Sequence, residues 1–541
     1  MRSIDAAALK GLIRDRRATP GRELAIVDAR EAGEFGAEHL LWAVPLPLSR
    51  LELGAPALLP NPGVPVVVLD DGGVAAPAGL AETAAGRLEA MGYRNVAVLD
   101  GGTPAWKAAG GELFSGVNVP SKAFGEWVEH HYGTPAIDAA DLKALIDSQA
   151  DMVILDSRPM AEFRRMSIPG GINVPGAELA FRIGDLAPRP ETLVVVNCAG
   201  RTRSIMGAES LRAAGVPNRV VALRNGTMGF ELAGFVCAHG ASARFAPGLP
   251  RNASAACAAA ERLAQENGVG MVDAATLAAW RADASRTTYV LDVREEDEFL
   301  AGRVPGSRHA PGGQLVQSTD AWIGVLGARI VLVDLAPGLG GGVRSRMTAQ
   351  WLAQMGHRDV HVLDASAADL TEAGPAAAPC PEAALVQVAF ISAEALAVGL
   401  DGTVMIDLAR SIDFRAAHIP GSLWGVRTRL AGLARQIAGR AVVLLAPSED
   451  LARLAVAEVR GLGASEVSVL AGGLAAWKAA GLVLAADRAV PPDPACIDWY
   501  LRAYDRNEGV QEAMRAYLDW EVALPEQVAR DGDVAFGTPR R

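Results

Sequence analysis

Asn197-Cys198-Ala199-Gly200-Arg201-Thr202-Arg203-Ser204 follows directly on the apolar run Leu193 to Val196. A cysteine delivered at the end of a strand, then a glycine, two arginines and a helix beginning near Arg203, is the local pattern that makes a nucleophile. Backbone N–H groups from Ala199 to Ser204 can curl around the sulfur, and the helix N-terminus adds its positive end, so the thiolate is favoured over the thiol. Such a sulfur needs no histidine partner. Arg201 and Arg203 suit a small anion through charge-assisted hydrogen bonds. Each also has a plain structural reading, as a solvated loop charge or as a helix-start residue paired with a nearby acid. The remaining cysteines, 237, 257, 380 and 496, lack such a loop and read as small apolar side chains.

The elements that must carry this loop are written four times. Ile26-Val27-Asp28-Ala29-Arg30 recurs as Ile154-Leu155-Asp156-Ser157-Arg158, Val290-Leu291-Asp292-Val293-Arg294 and Met405-Ile406-Asp407-Leu408-Ala409-Arg410. An acid followed by phenylalanine comes next in every copy (Glu34-Phe35, Glu162-Phe163, Glu298-Phe299, Asp413-Phe414), and three copies continue into a Pro-Gly turn. A second strand, a helix closed by glycine and a third strand complete each unit, and Trp106, Phe230 and Trp477 close three of them. Strands alternating with amphipathic helices predict α/β modules, each a mainly parallel sheet flanked by helices. At the position of Cys198 the first copy has Asp70, the third Leu335 or a near neighbour, and the fourth Ala446, so only the second copy can carry sulfur. Because the Asp and Arg of the strand end recur in copies without a cysteine, Asp156, Arg158 and Glu162 read as a supporting charge network in which Arg158 reaches Glu162.

This order of features resembles the rhodanese superfamily, specifically a multidomain thiosulfate-type sulfurtransferase with four modules. The resemblance implies modules at 1–115, 135–245, 271–376 and 389–487, with the second catalytic, and a helical tail at 488–541. Residues 116–134, 246–270 and 375–387 read as linkers. It further implies that Cys198 carries a persulfide inside the amide ring of residues 199–204, with a small anionic sulfur donor and a thiophilic acceptor as partners and with no metal or organic cofactor. In some tandem members a substrate-binding arginine follows the first strand, where this chain has Glu162. The aromatic stripe of the tail, with Trp499, Tyr517 and Trp520, is expected to pack on the chain's own modules.

Bulk properties narrow the class. The net charge is −11 over 541 residues and there is no long basic run, so a nucleic-acid-binding surface is not expected. Five cysteines without short paired spacings suggest neither a disulfide framework nor a zinc site. No apolar stretch approaches the roughly 20 residues needed to span a bilayer, and the first residues lack the apolar core of a secretory signal. A cytoplasmic, non-membrane protein is expected. Two rivals share the fold. A phosphatase of the dual-specificity type needs its arginine one residue further from the cysteine than Arg203, and a four-module scaffold or a persulfide carrier for a protein partner would keep the loop with a different use.

Overall fold

The computed structural model describes residues 2–74, 76–335, 342–376, 380–399 and 402–537. It contains four parallel sheets with one strand order. In the second module that order is Ala136–Ile137, Val220–Leu223, Leu193–Asn197, Met152–Asp156, Ile172–Asn173, all parallel. The inner strands are buried on both faces, which is why Val-rich runs such as Val194-Val195-Val196 form them: β-branched side chains fit a pleated surface that helices cover on each side. The first sheet takes in one foreign strand. Val325–Leu326 of the third module pairs antiparallel with Leu24–Asp28, joining modules one and three through main-chain hydrogen bonds.

Two stretches expected as linkers are helices. Val119–Tyr132 packs on Thr202–Ala213 of the second module and on the tail helix Val510–Asp531. Ala253–Glu266 packs on Leu179–Leu186 and on Val343–Gln354 of the third module. Mixed composition hid them, because a helix buried between several neighbours has no single apolar stripe. Lys122 and Glu126 of the first helix are themselves buried. In the joint 375–387, Pro381–Ala384 forms a single helical turn and residues 377–379 lie outside the described residues. The tail helix buries Met514, Leu518, Glu521, Leu524 and Val528, a stripe at three-to-four spacing that settles it on the bridging helix. Among the described residues no helix is long and apolar enough to cross a membrane, and no group of three or more His, Cys, Asp or Glu side chains is placed to hold a metal ion.

Buried ion pairs join the modules two by two. Between modules two and three, the fully buried Arg344 donates to Glu178 at 2.7 Å, to Asp334 at 2.9 Å and to Glu298. Trp351 Nε1 adds a bond to Ser210 Oγ at 2.9 Å. Between modules one and four, Arg427 donates to Glu52 at 2.9 Å, and Glu31 accepts from Ser49 at 3.0 Å and from Thr428 at 2.9 Å. Arginine suits these places because its fork engages several carboxylates at once. Removing one partner of such a pair leaves an uncompensated charge, at a typical cost of about 3–5 kcal/mol.

Burial outweighs the two hydroxyl bonds at Glu31 and lifts its pKa from 4.5 to about 7. A carboxyl whose folded pKa is raised binds its proton more tightly in the native state, so its contribution to stability is retained below pH 4.5 and lost as pH rises through 7. Thermal unfolding followed from pH 5 to pH 8 is expected to show this decline in the wild type and a flatter profile in Glu31→Gln. Equal slopes in both proteins would remove Glu31 as the cause.

Candidate active site

Cys198 lies one residue beyond the strand Leu193–Asn197, at the carboxyl edge of the second sheet, and the helix Thr202–Ala213 begins four residues later. The turn from the neighbouring strand folds over the loop: Thr227 N donates to Cys198 O at 2.9 Å and Met228 N to Ala199 O at 3.0 Å. Gly226 sits in this turn at φ +55°, and a Cβ there would lie 2.3 Å from Cys198 O, so only glycine permits the approach. Cys198 is 2% exposed, yet its sulfur does not face hydrocarbon. Sγ lies 3.4 Å from Ser204 Oγ, whose hydroxyl donates to Arg201 O at 2.8 Å. All five cysteines are free thiols, and burial raises the pKa of each of the other four, to about 12 at Cys237.

The cysteine-less modules show what this position is built to hold. Register places Leu69, Asn197, Val333 and Leu445 at equivalent points, since each carbonyl accepts from the residue after the strand-end aspartate. The third counterpart of Cys198 is therefore Asp334 and not Leu335. Its carboxylate accepts from the backbone of Arg344 at 2.9 Å and of Ser345 at 3.3 Å, the counterparts of Arg203 and Ser204. Ser345 Oγ donates to Gly342 O at 3.0 Å, just as Ser204 does to Arg201 O. Of the glycine-rich stretch 337–342 only Gly342 is described. In the first module Asp70 accepts from the backbone of Gly72 at 2.8 Å and Ala81 at 3.0 Å. Two of the three cysteine-less copies thus place a fixed anion among helix-start amides. The fourth has Ala446 and caps its helix with Ser448 instead.

The two arginines differ from the expected clamp. Arg201 donates through Nε and Nη2 to Glu126, both at 2.7 Å, through Nη2 also to Glu129, and through Nη1 to Asn225 at 3.2 Å. Arg203 grips Glu162 bidentately at 2.9 and 2.8 Å and reaches Gln314 of the third module at 3.0 Å. Carboxylates engage both forks, and among the described residues Arg203 keeps only Nε and one Nη2 hydrogen without a partner. Arg203 still lends positive charge: Cys198 is among the groups that raise its pKa, after Glu162. Glu162 is correspondingly held down to about 2 by Arg203, against the upward pull of burial.

Arg158 does not reach Glu162 as the sequence suggests. It binds Asp156 bidentately, at 2.8 and 2.7 Å, and donates to Met166 O at 2.6 Å, while Asn197 Nδ2 donates to Asp156 at 2.9 Å. Arg30 and Arg294 repeat this with Asp28 and Asp292. The fourth copy departs from it: one extra residue puts Ala409 where the arginine belongs, Arg410 turns to Asp413 at 2.7 Å, and burial lifts Asp407 to about 6.

Three further side chains near the loop, Glu521, Lys122 and Tyr517, come from outside the second module. Glu521 of the tail bonds the Thr202 hydroxyl, and Lys122 Nζ of the bridging helix lies 3.6 Å from Glu521 Oε1. A Cβ on Gly200 would touch the Tyr517 ring at 2.9 Å, so the tail lies directly on the cysteine loop. Burial pushes the Lys122 ammonium down, Glu521 pulls it up and Arg203 pushes it down again, with Cys198 a further upward influence. Tyr517 is raised by burial, then by Glu521 and Cys198. Sequence reasoning missed Lys122, Glu126 and Glu521. The one available signal was the i,i+4 spacing of Lys122 with Glu126 and of Tyr517 with Glu521, which marks one helix face without saying what it meets.

The Rhodanese-like domain family matches residues 5–109, 138–233 and 273–373. The fourth sheet repeats the same strand order without such a match. The crystal structure of thiosulfate sulfurtransferase from Pseudomonas aeruginosa superposes with a TM-score of 0.92 at 46% identity, covering 100% of both chains. The curated SseB proteins of two Mycobacterium tuberculosis strains, whose names assign them provisionally as thiosulfate sulfurtransferases, are 35% identical over 125 residues. That stretch is 21% of this chain and spans 42% of those relatives. With three matched domains, a fourth sheet of the same order and end-to-end agreement with a solved relative, the chain belongs to the rhodanese family.

Proposed function

We propose that the chain is a sulfurtransferase that moves sulfane sulfur from thiosulfate, or a similar small anionic donor, through a persulfide on Cys198 to a thiophilic acceptor. The observation that carries this reading is the internal comparison. Cys198 stands at the register that Asp334 holds in module three, where helix-start amides donate to a fixed anion, and a position that suits an anion favours a thiolate and a persulfide for the same reason. The name of the Pseudomonas aeruginosa relative supports the choice of thiosulfate.

In the first half-reaction the Cys198 thiolate attacks the outer sulfur of thiosulfate. The new S–S bond forms as the old one breaks, sulfite leaves with the bonding electron pair, and Cys–S–S⁻ remains. In the second, an acceptor such as cyanide attacks the outer sulfur, thiocyanate departs and the thiolate is restored. No proton needs a general base in either step. Ser204 can turn its hydroxyl from Arg201 O toward the sulfur as charge develops there. Lys122 is the cation that takes the donor's sulfonate in this reading, because its ammonium has one carboxylate partner at 3.6 Å whereas Arg201 and Arg203 each hold a carboxylate bidentately at under 3 Å. The same bidentate pairing disfavours a phosphatase, which needs a free arginine fork beneath the phosphate.

Incubation with thiosulfate is expected to add one sulfur atom to Cys198 by intact-protein mass spectrometry, and Cys198→Ser to abolish both this gain and thiocyanate production; full turnover in that variant would refute the mechanism. Lys122→Gln is expected to raise KM for thiosulfate by roughly tenfold, the cost of one charge-assisted contact, with a smaller effect on a singly charged organic persulfide donor. Equal effects on both donors would take Lys122 out of donor binding. Cys198→Asp is expected to be inactive but more stable than Cys198→Ala by about 1 kcal/mol, since it restores the anion that modules one and three carry. A less stable Asp variant would count against an anion-holding loop.

A further inference from the structure

Away from Cys198, a cavity of about 670 Å³ opens where the end of the first helix, Ala6–Ala18, meets the turn after Val343–Gln354 and the chain beyond the tail helix. Its wall is rich in cations in a chain whose net charge is −11. Some are neutralised: Arg286 is paired with Glu23 at 3.1 Å and with Asp359 at 2.9 Å. Three are not. Arg16 and Arg358 make no hydrogen bond or ion pair among the described residues, and Arg17 spends one N–H on Gly532 O at 2.7 Å. Asp533 is the single carboxylate on the wall left to face them.

Two buried donors point the same way. Arg16 Nε and Trp42 Nε1 are both sealed from solvent and donate to nothing among the described residues, although the guanidinium of Arg16 stacks over the Trp42 ring at 5.8 Å. Buried N–H groups are almost always paired, so two orphans behind one cavity wall mark a place short of acceptor oxygens. Burial, then the charges of Arg358 and Arg17, push Arg16 down to about 10 against the pull of Asp533.

We propose that this cavity is a binding site for a multivalent oxyanion, a phosphate or sulfate group held by Arg16, Arg17 and Arg358. Three guanidinium groups on one wall suit the oxygens of such a group through charge-assisted bonds. The volume admits either a bare inorganic ion or the phosphorylated end of a small metabolite. An occupant would link the first module, the third module and the segment that follows the tail helix, far from the sulfur-bearing loop in chain position and chemistry.

Isothermal titration calorimetry on the full chain at low ionic strength tests this, with sulfate and pyrophosphate as probes for the inorganic class and a nucleoside diphosphate for the organic one. Thiosulfate is added as a probe in Cys198→Ser so that turnover does not interfere. Saturable binding is expected to at least one probe, weakened roughly tenfold or more in the Arg16→Gln/Arg358→Gln double variant. Thiosulfate turnover by the double variant in anion-poor buffer is expected to equal that of the wild type, which shows that the protein has folded. A preference for the nucleotide over the inorganic ions, or the reverse, identifies the source. The proposal is overturned if no probe saturates the wild type at millimolar concentration, or if the folded double variant binds as well as the wild type.

Discussion

A carboxylate at the start of a buried helix is the constraint that the first three modules share. The helix presents amide N–H groups that have no partner in its own first turn, and burial denies them water. In module one Asp70 supplies the missing acceptor and in module three Asp334 does, each receiving two backbone N–H groups. In module two Cys198 stands at the same register with Sγ 3.4 Å from Ser204 Oγ, and the Thr202 N–H and hydroxyl at the helix start go to Glu521 of the tail. Module four gives up the arrangement, with Ala446 at that point and Ser448 as an ordinary cap.

The guanidinium groups divide in the same way. Arg30, Arg158 and Arg294 lock the strand ends to their aspartates. Arg201, Arg344 and Arg427 bind the second module to the bridging helix, the second to the third and the first to the fourth. Arg203 and Arg344 are counterparts in their helices, and each holds the acidic residue of its own module, Glu162 or Glu298. Bidentate pairing with carboxylates is what makes the arginines beside Cys198 structural ties. It leaves Lys122, contributed by the bridging helix, as the less encumbered cation at the site, and Arg16, Arg17 and Arg358 as the unmatched set elsewhere.

The cysteine-bearing second module is also incomplete by itself. Its helix Thr202–Ala213 is buried nearly all round although its sequence is far from uniformly apolar: Thr202, Ser204, Glu209 and Ser210 are all covered. Its neighbours supply the partners, through Glu521 on Thr202, Trp351 on Ser210 and Glu126 on Arg201 of the preceding loop. Polar residues buried by other parts of the chain do not disturb the fold because each finds a hydrogen bond there.

Alternation of strand and helix, repeated four times, determined the parallel sheets, because side-chain period and β-branching are local properties of each segment. The strand-to-helix loop singled out Cys198 as the candidate sulfur for the same reason: strand end, glycine and helix start are neighbours in sequence. Pairing decided the rest. Whether Arg201 and Arg203 face a substrate or a carboxylate depends on Glu126, Glu129 and Glu162, of which the first two lie some seventy residues away in a helix whose composition resembled a linker. The placing of Lys122, Tyr517 and Glu521 on the cysteine loop depends on a tail that returns across more than three hundred residues of chain. Long-range charge pairing leaves no periodic trace in a sequence, since its partners are chosen by the packing of modules, and only the tertiary structure decides which cation remains free to act.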